Sequence, residues 1–111
     1  EFEDDFFYQE ETKNSYHSWF GFPITIKNKE IKCKALCDYL NKNGIETRPV
    51  VSGNLAKQPV TKLYPHRVSG GLENVNYIMN NSFSIGCHQN ITYDEINYIH
   101  MKIKKFLKKD L

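Results

Sequence analysis

Four side chains stand where a small domain could engage an anion or a sugar hydroxyl: Arg48, Asn54, His88 and Gln89. Arg48 comes directly before Pro49 in "GIETRPVVSGNLAKQPV", Gly44 to Val60. A planar guanidinium near a strand end offers paired N–H donors for bidentate capture of phosphate or carboxylate. An exposed pair with a neighbouring acid such as Glu46 is the even alternative. Asn54, following Gly53, offers an amide to an anion or hydroxyl; the commoner use of such a residue is to cap a helix. His88 and Gln89 lie in "GCHQNIT", between a strand and a helix, at a sheet end where ligand sites often collect. A neutral imidazole and an amide can read hydroxyls or phosphates, and histidine titrates near neutrality. A turn that merely accommodates both is the plainer reading.

Composition narrows what such a site can belong to. At 111 residues the chain has room for one domain, or for a piece of a larger protein. Its first residue is Glu1, and no signal or transit segment opens it, which suggests an excised piece. No apolar run approaches the roughly 18–20 residues of a membrane span. A net charge of +2 argues against nonspecific nucleic-acid binding, and both the acidic start and the lysines at 102, 104, 105, 108 and 109 suit solvated surface. Three cysteines without a CxxC motif point to a reducing, cytoplasmic setting. Cys33 and Cys37 are spaced four apart on a predicted helix. They lack further ligands at metal spacing, so no metal site is expected and Cys37 reads as a small core residue. Walker, GxGxxG, GxSxG and paired-carboxylate patterns are absent from the sequence.

The elements that must position the four residues follow from periodicity. "WFGFPITIK" alternates Phe20, Phe22, Ile24 and Ile26 on one face. Pro23 predicts that this strand lies at an edge or begins unpaired. Asn28 offers an N-cap for a helix over 29–43, with Cys33, Leu36, Cys37 and Leu40 inward and Gly44 as terminator. "IETRPVV" predicts a second strand, and Asn54 to Val60 a loop or short helix stopped by Pro59. A helix over 72–80 would turn Leu72, Val75 and Met79 inward. "SFSIGC" alternates as a third strand. Thr92 and Glu95 form a capping box, with Ile91 and Ile96 as its hydrophobic staple and Ile96, Ile99, Ile103, Phe106 and Leu107 as the core stripe. The fold class is α+β: two layers, a short, mainly antiparallel three-stranded sheet with helices on one face. Residues 1–18, with Phe2, Phe6, Phe7 and Tyr8, read as a connector packing on a neighbour; residues 19–111 are the domain.

"SWFGFPITIK", "GIETRPVVSGNLAKQP", "LENVNYIM" and "GCHQNIT" occur in the order and spacing of the carboxyl end of the DegT/DnrJ/EryC1/StrS sugar aminotransferase family. The chain most resembles its nucleotide-sugar 3-dehydratases, which act on GDP-4-keto-6-deoxymannose or CDP-4-keto-6-deoxyglucose. The likeness covers 7–107, although His88-Gln89 departs from a Tyr-Pro-type turn in the second group. It implies the small C-terminal domain of a fold-type I vitamin B6 enzyme of deoxysugar and lipopolysaccharide O-antigen biosynthesis. The implied chemistry removes the C3 hydroxyl of a nucleotide-sugar, with pyridoxal or pyridoxamine phosphate as electron sink. The residue that moves the proton, a histidine in the dehydratases and a lysine in the aminotransferases, belongs to the large domain, so no catalytic residue is expected here. Arg48 and Asn54, then His88 and Gln89, are the implied substrate-side residues. Implied partners are the large cofactor-binding domain of the same chain, the nucleotide-sugar, and a second subunit in a homodimer. The piece alone is expected to bind no cofactor and to be inactive. Two rivals remain: the same domain of an ordinary nucleotide-sugar aminotransferase, and a stand-alone binding module using Phe20, Phe22 and Phe83 as a stacking platform. An RNP-like run for the latter is absent from the sequence.

Overall fold

Alternating Phe22, Ile24 and Ile26 form a strand because one face of it can be buried while its backbone pairs on both sides. In the computed structural model, which describes residues 1–108, that strand is β2, Phe22–Ile26, preceded by β1, Phe6–Tyr8. There follow α1 (Cys33–Lys42), β3 (Thr47–Arg48), two 3-10 turns (Leu55–Lys57 and Pro59–Lys62), α2 (Glu73–Asn81), β4 (Ser82–Ile85) and α3 (Tyr93–Phe106). The strands form one antiparallel sheet in the order β1-β2-β4-β3.

The α+β class stands, with four strands instead of three. The added strand lies in the supposed connector: Phe6 pairs with Ile26 and Tyr8 with Ile24. Phe2 and Phe6 are buried in this chain's own core, not held for a neighbour. β2 is therefore interior, not an edge. It tolerates Pro23 because β1 pairing begins only at Ile24, so Pro23 is paired to Ser84 on β4 and has no β1 partner. The strand is also shorter than its alternation predicts, and Phe20 is fully exposed beyond its end.

The core lies on one sheet face. Phe6, Ile24, Ile26 and Phe83 meet Leu36 and Leu40 of α1 and Ile103 of α3 there. Thr25 and Ser82 face the other way, their hydroxyls 2.8 Å apart. α2 adds no fully buried residue to the core: Leu72 and Val75 are half-buried and Met79 is exposed, so the inward stripe expected of this helix is only partly covered. The helix is tied instead by Tyr77, whose hydroxyl donates to the Ile26 carbonyl at 2.7 Å.

α1 starts at Cys33, later than predicted. Asn28 spends its side chain in a turn, accepting from Glu30 N and donating to the Asp5 carboxylate, and the N-cap position falls on Lys32. The other end is as predicted. Gly44, at φ 77°, lets Ile45 N reach Leu40 O and Gly44 N reach Asn41 O, the paired bonds of a Schellman motif. Pro59 opens the second 3-10 turn rather than only closing the first.

α3 carries the capping box. The Thr92 N–H and hydroxyl both donate to the Glu95 carboxylate, at 2.7 and 2.9 Å, while Glu95 N donates to Thr92 Oγ1 at 3.3 Å. Ile103 is buried and Ile99, Phe106 and Leu107 pack beside it, but Ile96 is half exposed. Lys109, counted above with the basic cluster, lies outside the described residues. The two bonds from Thr92, backbone first, hold the Glu95 carboxyl below its ordinary value of 4.5. A folded value below the unfolded one means that this stabilisation is present above the ordinary value and is lost as pH falls through the lowered one. Thr92→Ala should destabilise the chain by about 1 kcal/mol in urea unfolding. Glu95→Gln should remove the part of the acid-induced loss of α3 helicity that this carboxyl supplies, measured by circular dichroism against pH.

Candidate functional site

Two concavities meet at the C-terminal end of β4. The larger, about 660 Å³, lies between β3, β4 and the start of α3, with Phe20, Glu46, Arg48, Ser84, Asp94, Glu95 and Tyr98 among its walls. The smaller, about 420 Å³, lies across the core face of β2 and β4, walled by Tyr8, Phe22, Cys87, His88, Ile96 and His100 among others. Ile85, Gly86, Ile91 and Ile99 line both. Arg48 and His88 thus flank neighbouring grooves that share a wall, and do not line one groove together.

β3 pairs Thr47 with Ile85 and Arg48 with Ser84, so Arg48 and Ser84 project together on the face opposite the core, and both border the larger groove. Its side chain is 75% exposed, and Nε and Nη2 both donate to Glu46 Oε1, at 2.9 and 2.7 Å. The surface pair named above as the even alternative is therefore formed. A pair this exposed contributes at most about 1 kcal/mol. The groove also carries Glu46, Asp94 and Glu95, three carboxylates to one guanidinium, so an anion arriving here competes with Glu46 for Arg48.

Asn54 lines neither groove. It is 2% exposed, its Oδ1 accepts from Ala56 N at 3.0 Å, and its Nδ2 donates to Asn76 Oδ1 at 2.8 Å. The amide caps the first 3-10 turn and clasps that loop to α2. Gly53 sits beside it at φ 58°, and an added Cβ would lie 2.7 Å from Met79 Cγ and 3.2 Å from Met79 Cα. Gly53 and Asn54, the residues that follow the Arg48-Pro49 stretch, thus close the loop against α2.

His88 and Gln89 are exposed in the turn that joins β4 to α3, closed by Ile91 N donating to His88 O at 3.0 Å. His88 Nδ1 accepts from Asn90 N at 3.2 Å, which leaves Nε2 as the N–H of the neutral ring. His88 therefore offers a donor to whatever enters the smaller groove.

Three supports were not visible in the sequence. Asn41 Nδ2 donates to Thr47 Oγ1 and Thr47 N donates to Asn41 Oδ1, which fixes β3, and hence Arg48, to the end of α1. Tyr98 OH donates to Asn43 O at 2.9 Å across the larger groove. Asn76 receives Asn54. Each is a polar residue at a helix surface whose partner is set by tertiary packing: across one turn for Asn41 and Thr47, and between elements distant in sequence for Tyr98 and Asn76.

Among the described residues there is no cluster of three metal-ligating side chains, and no helix is long and apolar enough to cross a membrane. The three cysteines are free.

The chain is 39% identical over 98 residues to the GDP-4-keto-6-deoxy-D-mannose 3-dehydratase of Escherichia coli O55:H7, covering 86% of this chain and 25% of that protein. It is 38% identical to the lipopolysaccharide biosynthesis protein RfbH of Salmonella typhimurium, over 87% of this chain and 22% of the relative. Against dTDP-4-dehydro-2,6-dideoxy-D-glucose 3-dehydratase of Saccharopolyspora spinosa it is 31% identical, over 88% of this chain and 21% of that one. The solved structure of the E. coli GDP-4-keto-6-deoxy-D-mannose-3-dehydratase with bound hydrated PLP superposes at a TM-score of 0.81 and 35% identity, covering 90% of this chain and 26% of that one. A structure of GDP-4-keto-6-deoxymannose-3-dehydratase with a trapped PLP-glutamate geminal diamine superposes at 0.82 and 36%, over 91% and 27%. The chain spans about a quarter of the length of the relatives it matches. The model of the DegT/DnrJ/EryC1/StrS aminotransferase family matches residues 2–104, and with that match the chain belongs to this family.

Proposed function

We propose that this chain is the small C-terminal, substrate-capping domain of a vitamin B6-dependent nucleotide-sugar 3-dehydratase of deoxysugar and lipopolysaccharide biosynthesis. The observation that carries this reading is the superposition of about nine-tenths of this chain, at 35–36% identity, on 3-dehydratase structures, two with PLP species and one, a variant, with bound GDP-perosamine. The relatives' names favour the dehydratase over an ordinary aminotransferase. Free thiols suit a cytoplasmic enzyme, and we place its homodimer contacts in the part of the protein outside this chain. Phe83, 1% exposed, is closed to base stacking, which disfavours a stand-alone RNA-binding platform.

The residues present do not form a site for the cofactor. No lysine lines either groove, and the one guanidinium there is matched against three carboxylates. We derive no step through the cofactor for this chain, and assign its binding and the proton-transferring residue to the large domain. The part left to this chain is to orient substrate and exclude water. Arg48 would meet a phosphate of the nucleotide, His88 Nε2–H and Gln89 a sugar hydroxyl, and Asn54 would hold the loop that follows Arg48. Because Phe2 and Phe6 belong to the core, the boundary with the large domain is better drawn before Phe2 than at Ser18.

The test is made on the full-length protein supplied with PLP, glutamate and a nucleotide-4-keto-6-deoxyhexose. A dehydratase releases a sugar lacking the C3 oxygen, an aminotransferase one bearing an amine in place of the keto oxygen. Mass spectrometry separates the two, and the amine product would overturn the reading.

A further inference from the structure

The segment that follows β3 is ordered yet uncovered. Its two 3-10 turns contain no buried residue, and every residue from 62 to 71 is exposed. Polar bonds hold it rather than apolar burial. Gln58 Nε2 donates to Ser52 O at 2.7 Å, Thr61 Oγ1 donates to Gln58 O at 2.8 Å, and Asn54 is fastened to Asn76. Val51, Leu55, Val60, Leu63, Tyr64 and Val68 are therefore left in water, Leu63 at 74% exposure and Tyr64 at 67%. Apolar exposure gathered on one segment marks an interaction surface. The radius of gyration, 16.0 Å, exceeds the value of about 13 Å for a compact chain of this length, as a segment standing off the core requires.

Charge says what fits this surface. Residues 47–72 carry Arg48, Lys57, Lys62 and Arg67 and no carboxylate. Residues 1–11 are the reverse, with six carboxylates and no lysine or arginine, beside the exposed rings of Phe7 and Tyr8. Among the described residues, Lys57, Lys62 and Arg67 form no ion pair, nor do Glu3, Asp4 and Glu10. The two surfaces leave from opposite edges of the sheet. β1 lies within the acidic stretch and β3 opens the basic one, about 14 Å apart over three strand spacings.

We propose that the basic, apolar segment over 51–68 docks on the acidic β1 edge of a second copy of this chain, and that the contact is reciprocal about a two-fold axis. A two-fold pair engages both segments and both edges at once and closes the assembly. A single head-to-tail contact would instead leave one of each open at the ends of a growing filament. Leu63 and Tyr64 form the apolar centre against Phe7 and Tyr8, and Lys62 and Arg67 face the carboxylates at the rim. Because the segment is already fixed by its own hydrogen bonds, little ordering is left for association to supply. This contact adds to any made by the part of the protein outside this chain, and it does not depend on the dehydratase reading.

The experiment is sedimentation velocity of this chain over a range of concentration, at low and high salt. A monomer–dimer equilibrium that weakens as salt is added is the expected result. Lys62→Glu combined with Arg67→Glu should raise the dimer Kd by about tenfold, and Glu3→Lys combined with Glu10→Lys should do the same. Mixed together, the two variants should associate at about the parent Kd, because each contact in the mixed pair again joins opposite charges. All four positions are exposed, so circular dichroism of both variants should match the parent. Leu63→Ser combined with Tyr64→Ser should also weaken the dimer while leaving its salt dependence in place, a readout independent of the charge variants. A parent that stays monomeric, a dimer indifferent to both charge reversals, or open filaments would overturn the proposal. So would binding of the monomer to phosphatidylglycerol vesicles without self-association, which would make the segment a lipid-facing one.

Discussion

Phe83→Ala should cost about 3–5 kcal/mol, the range for truncating a fully buried phenylalanine. Phe83 is 1% exposed at the centre of β4, opposite Ile24, and its ring belongs to the one core that joins the sheet to α1 and α3. A chain of this size has a total stability of about 5–15 kcal/mol, so one substitution would remove a large share of it. With a urea slope of about 1.5 kcal/mol/M, the unfolding midpoint should fall by about 2–3 M. Phe20→Ala is the matched control. Phe20 is 100% exposed, and its loss should change stability by less than about 0.5 kcal/mol. Equal shifts for the two variants would mean that the core does not lie on the β4 face described above.

That contrast also shows where local pattern is sufficient and where it fails. Alternation assigned Phe20 and Phe22 to one face, and in a longer strand it would have been right about both. β2 begins only at Phe22, because β4, its partner, runs out at Ile85, so Phe20 has no sheet to turn it inward. The helix ends fared better. Gly44 and the Thr92–Glu95 pair act through bonds that close within a few residues, so their residue types alone determine the outcome. Asn28 resembles a cap by the same logic, but Asp5, far away in sequence, competes for its amide and the helix starts later. β1 was hidden for a related reason: three residues flanked by charge carry no period, and they become a strand only because β2 offers an edge.

Of the site, the residue types were legible and the arrangement was not. Arg48, His88 and Gln89 are all exposed around the end of β4, as strand ends and turns dictate. That Arg48 and His88 open onto separate grooves depends on Ile85, Gly86, Ile91 and Ile99 forming a wall between them, which is a matter of tertiary packing. The capping use of Asn54 was legible as a local motif, whereas its clasp to Asn76 was not.

The second large effect concerns Arg48. In the full-length protein, Arg48→Ala is expected to lower kcat/KM by about 100-fold, equivalent to losing about 2–3 kcal/mol from a hydrogen-bonded charge pair with a substrate phosphate. The same substitution should leave stability within about 1 kcal/mol of the parent, since among the described residues the ion pair it breaks is the exposed one with Glu46. Glu46 makes the prediction two-sided. In this chain Glu46 Oε1 takes both Nε and Nη2, so a phosphate must displace it before a bidentate contact can form. Glu46→Gln removes the competing charge and should lower KM, most clearly at low salt where the groove's carboxylates are least screened. A structural role for Arg48 predicts the reverse pattern: Arg48→Ala would lose stability, and Glu46→Gln would weaken the protein without improving substrate binding. Steady-state kinetics and urea unfolding on the two variants separate these cases. If Arg48→Ala retains full kcat/KM, Arg48 does not anchor the substrate, and the groove between β3 and α3 has another use.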